Sequence, residues 1–243
     1  AEQIQELVMK RLGLNAAEIS TQIVQRDRYA ELICIYSSVA SSLENFATEI
    51  RELQRPEIAE LFESFEAKKQ VGSSTMPHKQ NPETCERVCG LARIVRSLST
   101  PVLEDMVTWH ERDLTQSSTE RFILPESNIL LDYILNLTCN IVANLRVDSE
   151  RMLQNLSLTQ GRAMSESVMM ALTKKNVNRQ EAHEMLRKLT IQSALEKKPF
   201  KQVLLKDKLI SSKLNEKEID QALNPKNYLG TAVKQAERFA KTT

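Results

Sequence analysis

Residues 29–56 read YAELICIYSSVASSLENFATEIRELQRP. Apolar side chains fall at Tyr29, Leu32, Tyr36, Val39, Leu43, Phe46, Ile50 and Leu53, in steps of three and four, with Ile33, Ala40 and Ala47 widening the stripe. That period places them on one face of a helix suited to a near-antiparallel bundle. The Gln54-Arg55-Pro56 stop ends the helix after roughly 25 residues, or about 40 Å at 1.5 Å of rise per residue. The same heptads suit a coiled-coil scaffold, so oligomerisation through this face stays open.

Upstream, Ile4, Leu7, Val8 and Leu12 share a face of a short helix before Gly13, and Asn15 to Arg26 reads as a connector. The opening Ala1-Glu2-Gln3, without Met and already in helical rhythm, reads as a start cut from something longer. Downstream, a shorter helix is expected from about Glu57 to Ala67. Val88, Leu91, Val95, Leu98 and Val102 repeat the spacing, with Pro101 expected to kink or end that rod. A third long helix is expected from about Ser127 to Leu145, with Pro125 near its start or at a kink. Past Asp148-Ser149 the segments shorten. Helices are expected over Ala163 to Lys175, from the Asn178 cap to about Leu195, after Pro199, over Asn215 to Leu223 and over Tyr228 to Lys241. No stretch alternates convincingly as a strand. The fold class is therefore all-α, with a long-helix bundle over residues 1–147 and a small helical domain over 148–243.

With 243 residues, 41% of them hydrophobic, the chain can bury a sizeable core, and only 5 Gly and 7 Pro favour helix throughout. A net charge of +1 gives no electrostatic case for nucleic acid as a partner. The uncharged runs Leu32 to Leu43 and Tyr133 to Leu145 are too short for a bilayer, which takes about 20 apolar residues. Four cysteines without disulfide spacing, and no signal peptide, point to a reducing, cytoplasmic setting. Cys85 and Cys89, with His78 and His110 in reach, raise a metal site. No second ligand pair has the usual spacing, and thiols four apart on one helix suit a core, so no metal is expected.

Two stretches carry chemistry. Val71 to Glu86, VGSSTMPHKQNPETCE, is a Gly-Ser-Ser loop running into a helix, where Asn81 reads as N-cap, Pro82 as the first helical residue, and Glu83 and Glu86 suit the positive end of the dipole. The loop, Lys79 and the helix N-terminus together suit an anionic ligand or an oxyanion; a plain surface loop is the alternative. Thr108 to Arg121 is dense in polar groups. It reads either as an exposed turn with Arg112 and Arg121 salt-bridged at the surface, or as an anion clamp of Arg112, Arg121 and Ser117. Spacing alone leaves both open.

GSSTMPHKQNP resembles the GSSxMPxKxNP loop of the fumarase/aspartase superfamily. Ser-Thr-Gln-x-x-x-Arg-Asp at Ser20 to Asp27, and Trp-x-Glu-Arg-Asp-x-Thr-x-Ser-Ser-x-Glu-Arg at Trp109 to Arg121, look like adenylosuccinate lyase, a resemblance that continues more weakly through Thr159 to Glu166. It implies elimination of fumarate from adenylosuccinate, giving AMP, and from SAICAR, giving AICAR, without metal or redox cofactor. By that resemblance Ser73 is the base, with Ser74 its rival. Lys79 and Asn81 bind the succinyl carboxylates, Glu86 supports, and Gln22 contacts substrate. Arg112, Ser117 and Arg121 grip the nucleotide. The family's general acid is a histidine upstream of the present Ala1, so this polypeptide alone is expected to lack activity. His78 is at most a contact residue, and His110 and His183 read as structural or solvated. The resemblance also implies a homotetramer with active sites shared between chains. The alternatives are another lyase of the superfamily, such as argininosuccinate lyase or carboxymuconate cycloisomerase, and a non-catalytic helical oligomerisation module.

Overall fold

The computed structural model describes residues 1–64, 76 and 80–242. Helix α1 (Glu2–Leu12) stops where Gly13 takes a φ of 65°, a left-handed conformation that costs glycine little. It buries none of its residues. The stripe of residues 29–53 then forms α2 (Asp27–Leu53), unbroken over 27 residues.

Over the described residues 57–64, the helix expected from Glu57 does not form. Glu60 N–H bonds back to the Leu53 carbonyl, Ala59 takes a φ of 55°, and β1 (Leu61–Phe62) pairs antiparallel with residues 146–147. Tertiary pairing overrides local helix propensity there, and the Arg146 guanidinium lies 4.4 Å from the centre of the Phe62 ring.

Helix α3 (Glu83–Ser97) gives way at Leu98 to α4 (Ser99–Glu104). The break comes three residues before Pro101, which sits in the first turn of α4, where a helix needs no N–H from it. Helix α5 (Thr115–Ala143) starts twelve residues earlier than its apolar pattern suggests and carries Pro125 inside it. That proline has no N–H to give to the Arg121 carbonyl, so the ladder is interrupted rather than begun there. Strand β2 (Arg146–Val147) and helices α6 (Ser149–Ser157), α7 (Ser165–Lys174), α8 (Arg179–Glu196), α9 (Phe200–Lys206), α10 (Lys208–Lys213), α11 (Glu216–Leu223) and α12 (Ala232–Ala240) complete the chain.

Ala1–Asp148 and Ser149–Thr243 are two compact units. In the first, α3 runs antiparallel to α2: Glu44 meets Arg93 and Arg96 toward the end of α3, whereas Thr48 meets Cys89 nearer its start. Helix α5 runs parallel to α2, since Arg26 just before α2 pairs with Glu120, and Tyr36 Oη donates to Asn128 at 3.0 Å. Ala40 and Ala47 are fully buried and small enough to let α3 approach closely. Ala30, Ile33, Val102 and Ile123 pack near the head of α2; Ile50, Cys85, Val88, Ile134 and Ile141 pack toward its tail. Each buried Ile or Val among them contributes roughly 1.5–3 kcal/mol by leaving water.

The second unit closes around Leu172, Phe200, Leu204, Ile210 and Ile219. Its helices start where the sequence supplies caps. Asn178 accepts from the Gln180 and Glu181 amides, Asp207 from Leu209 and Ile210, and Asn215 forms a reciprocal capping box with Glu218. Among the described residues, no helix is long and apolar enough to cross a membrane.

Candidate active site

The Ser20–Asp27 and Trp109–Arg121 motifs meet at the head of α2. Thr21 Oγ1 donates to the Glu111 carbonyl at 2.9 Å and to the Ile23 carbonyl at 3.1 Å. Arg26 Nη1 reaches the Glu120 carboxylate at 3.0 Å, with only 10% and 16% of the two side chains exposed, while its Nε donates to the Val24 carbonyl and its guanidinium lies 4.8 Å from the Tyr29 ring centre. Residues 94 apart in sequence are thereby pinned together.

Asp113 organises the turn between them, accepting from Trp109 N–H at 2.9 Å, Thr115 N–H at 2.8 Å and the Thr115 hydroxyl. These donors hold its carboxyl below the usual range, the Thr115 hydroxyl foremost. Asp105, buried, takes the Thr119 hydroxyl. A recess of about 320 Å³ opens beside this junction, lined by Thr21, Arg26, Thr108 and His110 among others; His110 holds a φ of 49°.

The expected clamp residues are the ones these bonds leave over. Among the described residues, neither Arg112 nor Arg121 enters an ion pair, and Arg112 Nε is buried without a hydrogen-bond partner. The turn itself is exposed, but the surface salt bridges of the alternative reading are not formed among the described residues. Ser117 and Arg121, four residues apart, share a face of the first turns of α5, a helix start with no acidic residue in its first turn. Gln22 is exposed, next to the Thr21 contact.

At the tail of α2 lies the base of the loop. Ser73, Ser74, Lys79 and His78 fall outside the described residues. Their flanks are described, and they correct the expected cap. Asn81 is not the side-chain cap of α3; Pro82 occupies the N-cap position with a ψ of 63°, and the helix starts at Glu83. The capping acceptor is Glu63, whose carboxylate takes Thr84 N–H at 3.0 Å and Cys85 N–H at 2.9 Å. Glu83 N–H goes to the Asn81 carbonyl and Glu86 N–H to that of Pro82. The α3 amides expected to steady an oxyanion are thus already taken, by a carboxylate of the wrong sign for that task.

Gln54 ties the flanks together, accepting from Glu63 N–H at 3.0 Å and donating to the Gln80 carbonyl at 3.2 Å. Burial, and then the Glu63 carboxylate beside it, push the Cys85 thiol far above its ordinary range. Cys85 and Cys89 are core residues. Glu86 is exposed on α3, and its charge helps hold the Arg51 guanidinium above its ordinary value, after the larger effect of the Cys89 side chain.

Within one chain the two groups do not meet. Gln22, Arg112, Ser117 and Arg121 sit at the head of α2, whereas Asn81 and Glu86 sit at its tail. Its 27 residues span about 40 Å at 1.5 Å per residue. Sequence reasoning missed Arg26, Glu120 and Asp113 as organisers, although all three lie inside the quoted motifs, and missed Gln54 and Glu63, for which no local pattern offered a signal.

Two family models match this chain: "Lyase" over residues 1–96 and "Adenylosuccinate lyase C-terminus" over residues 161–239. The adenylosuccinate lyase of Aquifex aeolicus is 47% identical over 227 residues, and that of Pyrococcus horikoshii 47% over 232. By sequence the chain is similar to adenylosuccinate lyases over nearly its whole length. These matches cover 93% and 96% of the chain but 52% and 51% of the two relatives, so it spans about half the length of the curated relatives it matches.

Among solved structures, the 3-carboxy-cis,cis-muconate lactonizing enzyme of Pseudomonas putida superposes with a TM-score of 0.83 at 33% identity, covering 96% of this chain and 51% of that one. A fumarate lyase from Mesorhizobium sp. BNC1 also gives 0.83, at 28% identity, covering 94% and 50%. The all-α, long-helix architecture is the one these enzymes share. The curated adenylosuccinate lyases are closer in sequence than the muconate enzyme, which weighs against the nearest rival.

Proposed function

We propose that this chain supplies the C-terminal half of an adenylosuccinate lyase, a cytoplasmic enzyme of purine nucleotide synthesis that releases fumarate from adenylosuccinate to give AMP and from SAICAR to give AICAR. In this reading Ser73, with Ser74 as alternative, removes a proton from the carbon next to a carboxylate. The electron pair left behind forms the new C=C bond as the C–N bond breaks, and an acid returns a proton to the leaving nitrogen. Lys79 and Asn81 hold the succinyl carboxylates, Gln22 contacts substrate, and Arg112, Ser117 and Arg121 hold the nucleotide phosphate by charge-assisted hydrogen bonds. With the α3 amides bonded to Glu63, stabilisation of the serine alkoxide falls to Lys79 and the loop's own amides.

The observation that carries the proposal is that Arg112, just before α5, and Arg121, one turn after Ser117 on α5, enter no ion pair among the described residues, while Thr21–Glu111 and Arg26–Glu120 hold their segment next to that of Gln22. That the clamp residues and the loop base lie at opposite ends of α2, a helix about 40 Å long, supports sites assembled from several chains of a homotetramer, a loop from one facing a clamp from another.

Two experiments test this. Titrated into the isolated chain, AMP should protect Arg112 and Arg121 from arginine-selective labelling, and free arginine should not; protection by arginine alone would favour an argininosuccinate lyase. Given adenylosuccinate, the isolated chain should release no fumarate, and a fusion behind the N-terminal half of the Aquifex aeolicus relative should release it. Turnover by the isolated chain would refute the need for an upstream acid.

A further inference from the structure

Glu63 is 6% exposed and pairs with no cation among the described residues. A carboxylate buried in that way has to be satisfied by hydrogen bonds, and its oxygens take the first amides of a helix that begins 20 residues later. An Asn, Ser or Asp just before α3 would cap it with less burial of charge. Capping from the other flank does something a local cap does not: it ties residue 63 to residues 84 and 85. Gln54, 8% exposed, repeats the tie by bonding Glu63 N–H and the Gln80 carbonyl with one amide group. The two flanks of the segment between Ser64 and Gln80 are thus locked to each other and to the end of α2.

We propose that Glu63 and Gln54 are positioning residues, fixing the start of α3 so that Asn81 and Glu86 hold the geometry the elimination needs. This rests on the lyase reading of Asn81 and Glu86. The pair acts through backbone groups and touches no reacting atom.

Glu63→Gln keeps one acceptor and sets an NH2 against a buried N–H. Gln54→Met removes the second of the two ties between the flanks and leaves the Glu63 cap in place. In the isolated chain, exchange of the Thr84 and Cys85 amides should quicken about tenfold or more in Glu63→Gln and stay unchanged in Gln54→Met. In the active fusion both variants should lower kcat about 10- to 100-fold, the scale of a misplacement of about 1 Å, with KM changed less than about 3-fold. Glu63→Asp, which restores the charge, should recover part of the loss. Unchanged exchange in Glu63→Gln overturns the clamp, and wild-type kcat in Gln54→Met overturns positioning even if Glu63→Gln fails to fold. A parent fusion that releases no fumarate overturns the lyase reading instead, while the exchange result still judges the clamp.

Discussion

The Arg26–Glu120 pair is where the two motifs are held, and its two ends should not cost the same to remove. At 3.0 Å, with an effective dielectric constant of about 20, the gross attraction is about 5 kcal/mol. Desolvating two side chains that are 10% and 16% exposed consumes most of it. Arg26→Met leaves the Glu120 carboxylate without its cation in a nearly dry setting, and about 2–3 kcal/mol of stability should be lost, below the 3–5 kcal/mol typical of fully buried pairs. Glu120→Gln leaves Arg26 with the Val24 carbonyl and the Tyr29 ring, so only about 1–2 kcal/mol should go. The double variant should fall short of the sum by about 1–2 kcal/mol. Urea unfolding followed by circular dichroism, at constant m, measures all three. Equal single losses, or a coupling under about 0.3 kcal/mol, would refute the pinning role.

Other consequences are local. Asp113, with its carboxyl held below the ordinary value of 3.8, lends order to the turn that is present above the unfolded-state titration and lost as pH falls through the lower folded value. The Trp109 and Thr115 amide resonances should therefore persist at pH 4 and broaden only below 3.8, and Asp113→Asn should abolish that dependence; loss already at pH 5 would contradict it. A thiol reagent should modify the exposed Cys34 and Cys139 in the native chain, and Cys85 and Cys89 only after denaturation; native labelling of Cys85 would contradict its burial. Asn215→Ala removes the acceptor for Glu218 N–H and should cost about 1 kcal/mol, read from the unfolding of the second unit; no loss would mean the box carries no load.

What the sequence made legible is what local chemistry decides. The stripe from Tyr29 to Leu53 announces α2 because 3.6-residue periodicity is intrinsic to a helix that buries one face, and Asn178 and Asn215 announce helix starts because caps bond within three residues. Misreadings arose where a partner far along the chain decides. Residues 57–62 have helical composition, yet pairing with Arg146 and Val147 holds them extended. The first turns of α5 are polar because they face the motif junction, and Pro125 imitates a helix start while sitting inside one. Glu63 bonds amides 21 and 22 positions away, and Arg26 a carboxylate 94 away, distances no periodicity encodes. Of the candidate site, residue types and motifs were readable; that the clamp and the loop base occupy opposite ends of α2 was not.

That separation gives the account its sharpest test. In the fusion with an N-terminal half, Ser73→Ala should disable the loop and Arg121→Met the clamp, each variant inactive alone. Dissociated, mixed in equal amounts and reassociated, they should regain about a quarter of wild-type fumarate release, because random assembly gives that share of sites an intact loop from one chain and an intact clamp from another. A mixture as inactive as its components would mean that loop and clamp come from the same chain, contradicting a site built across copies.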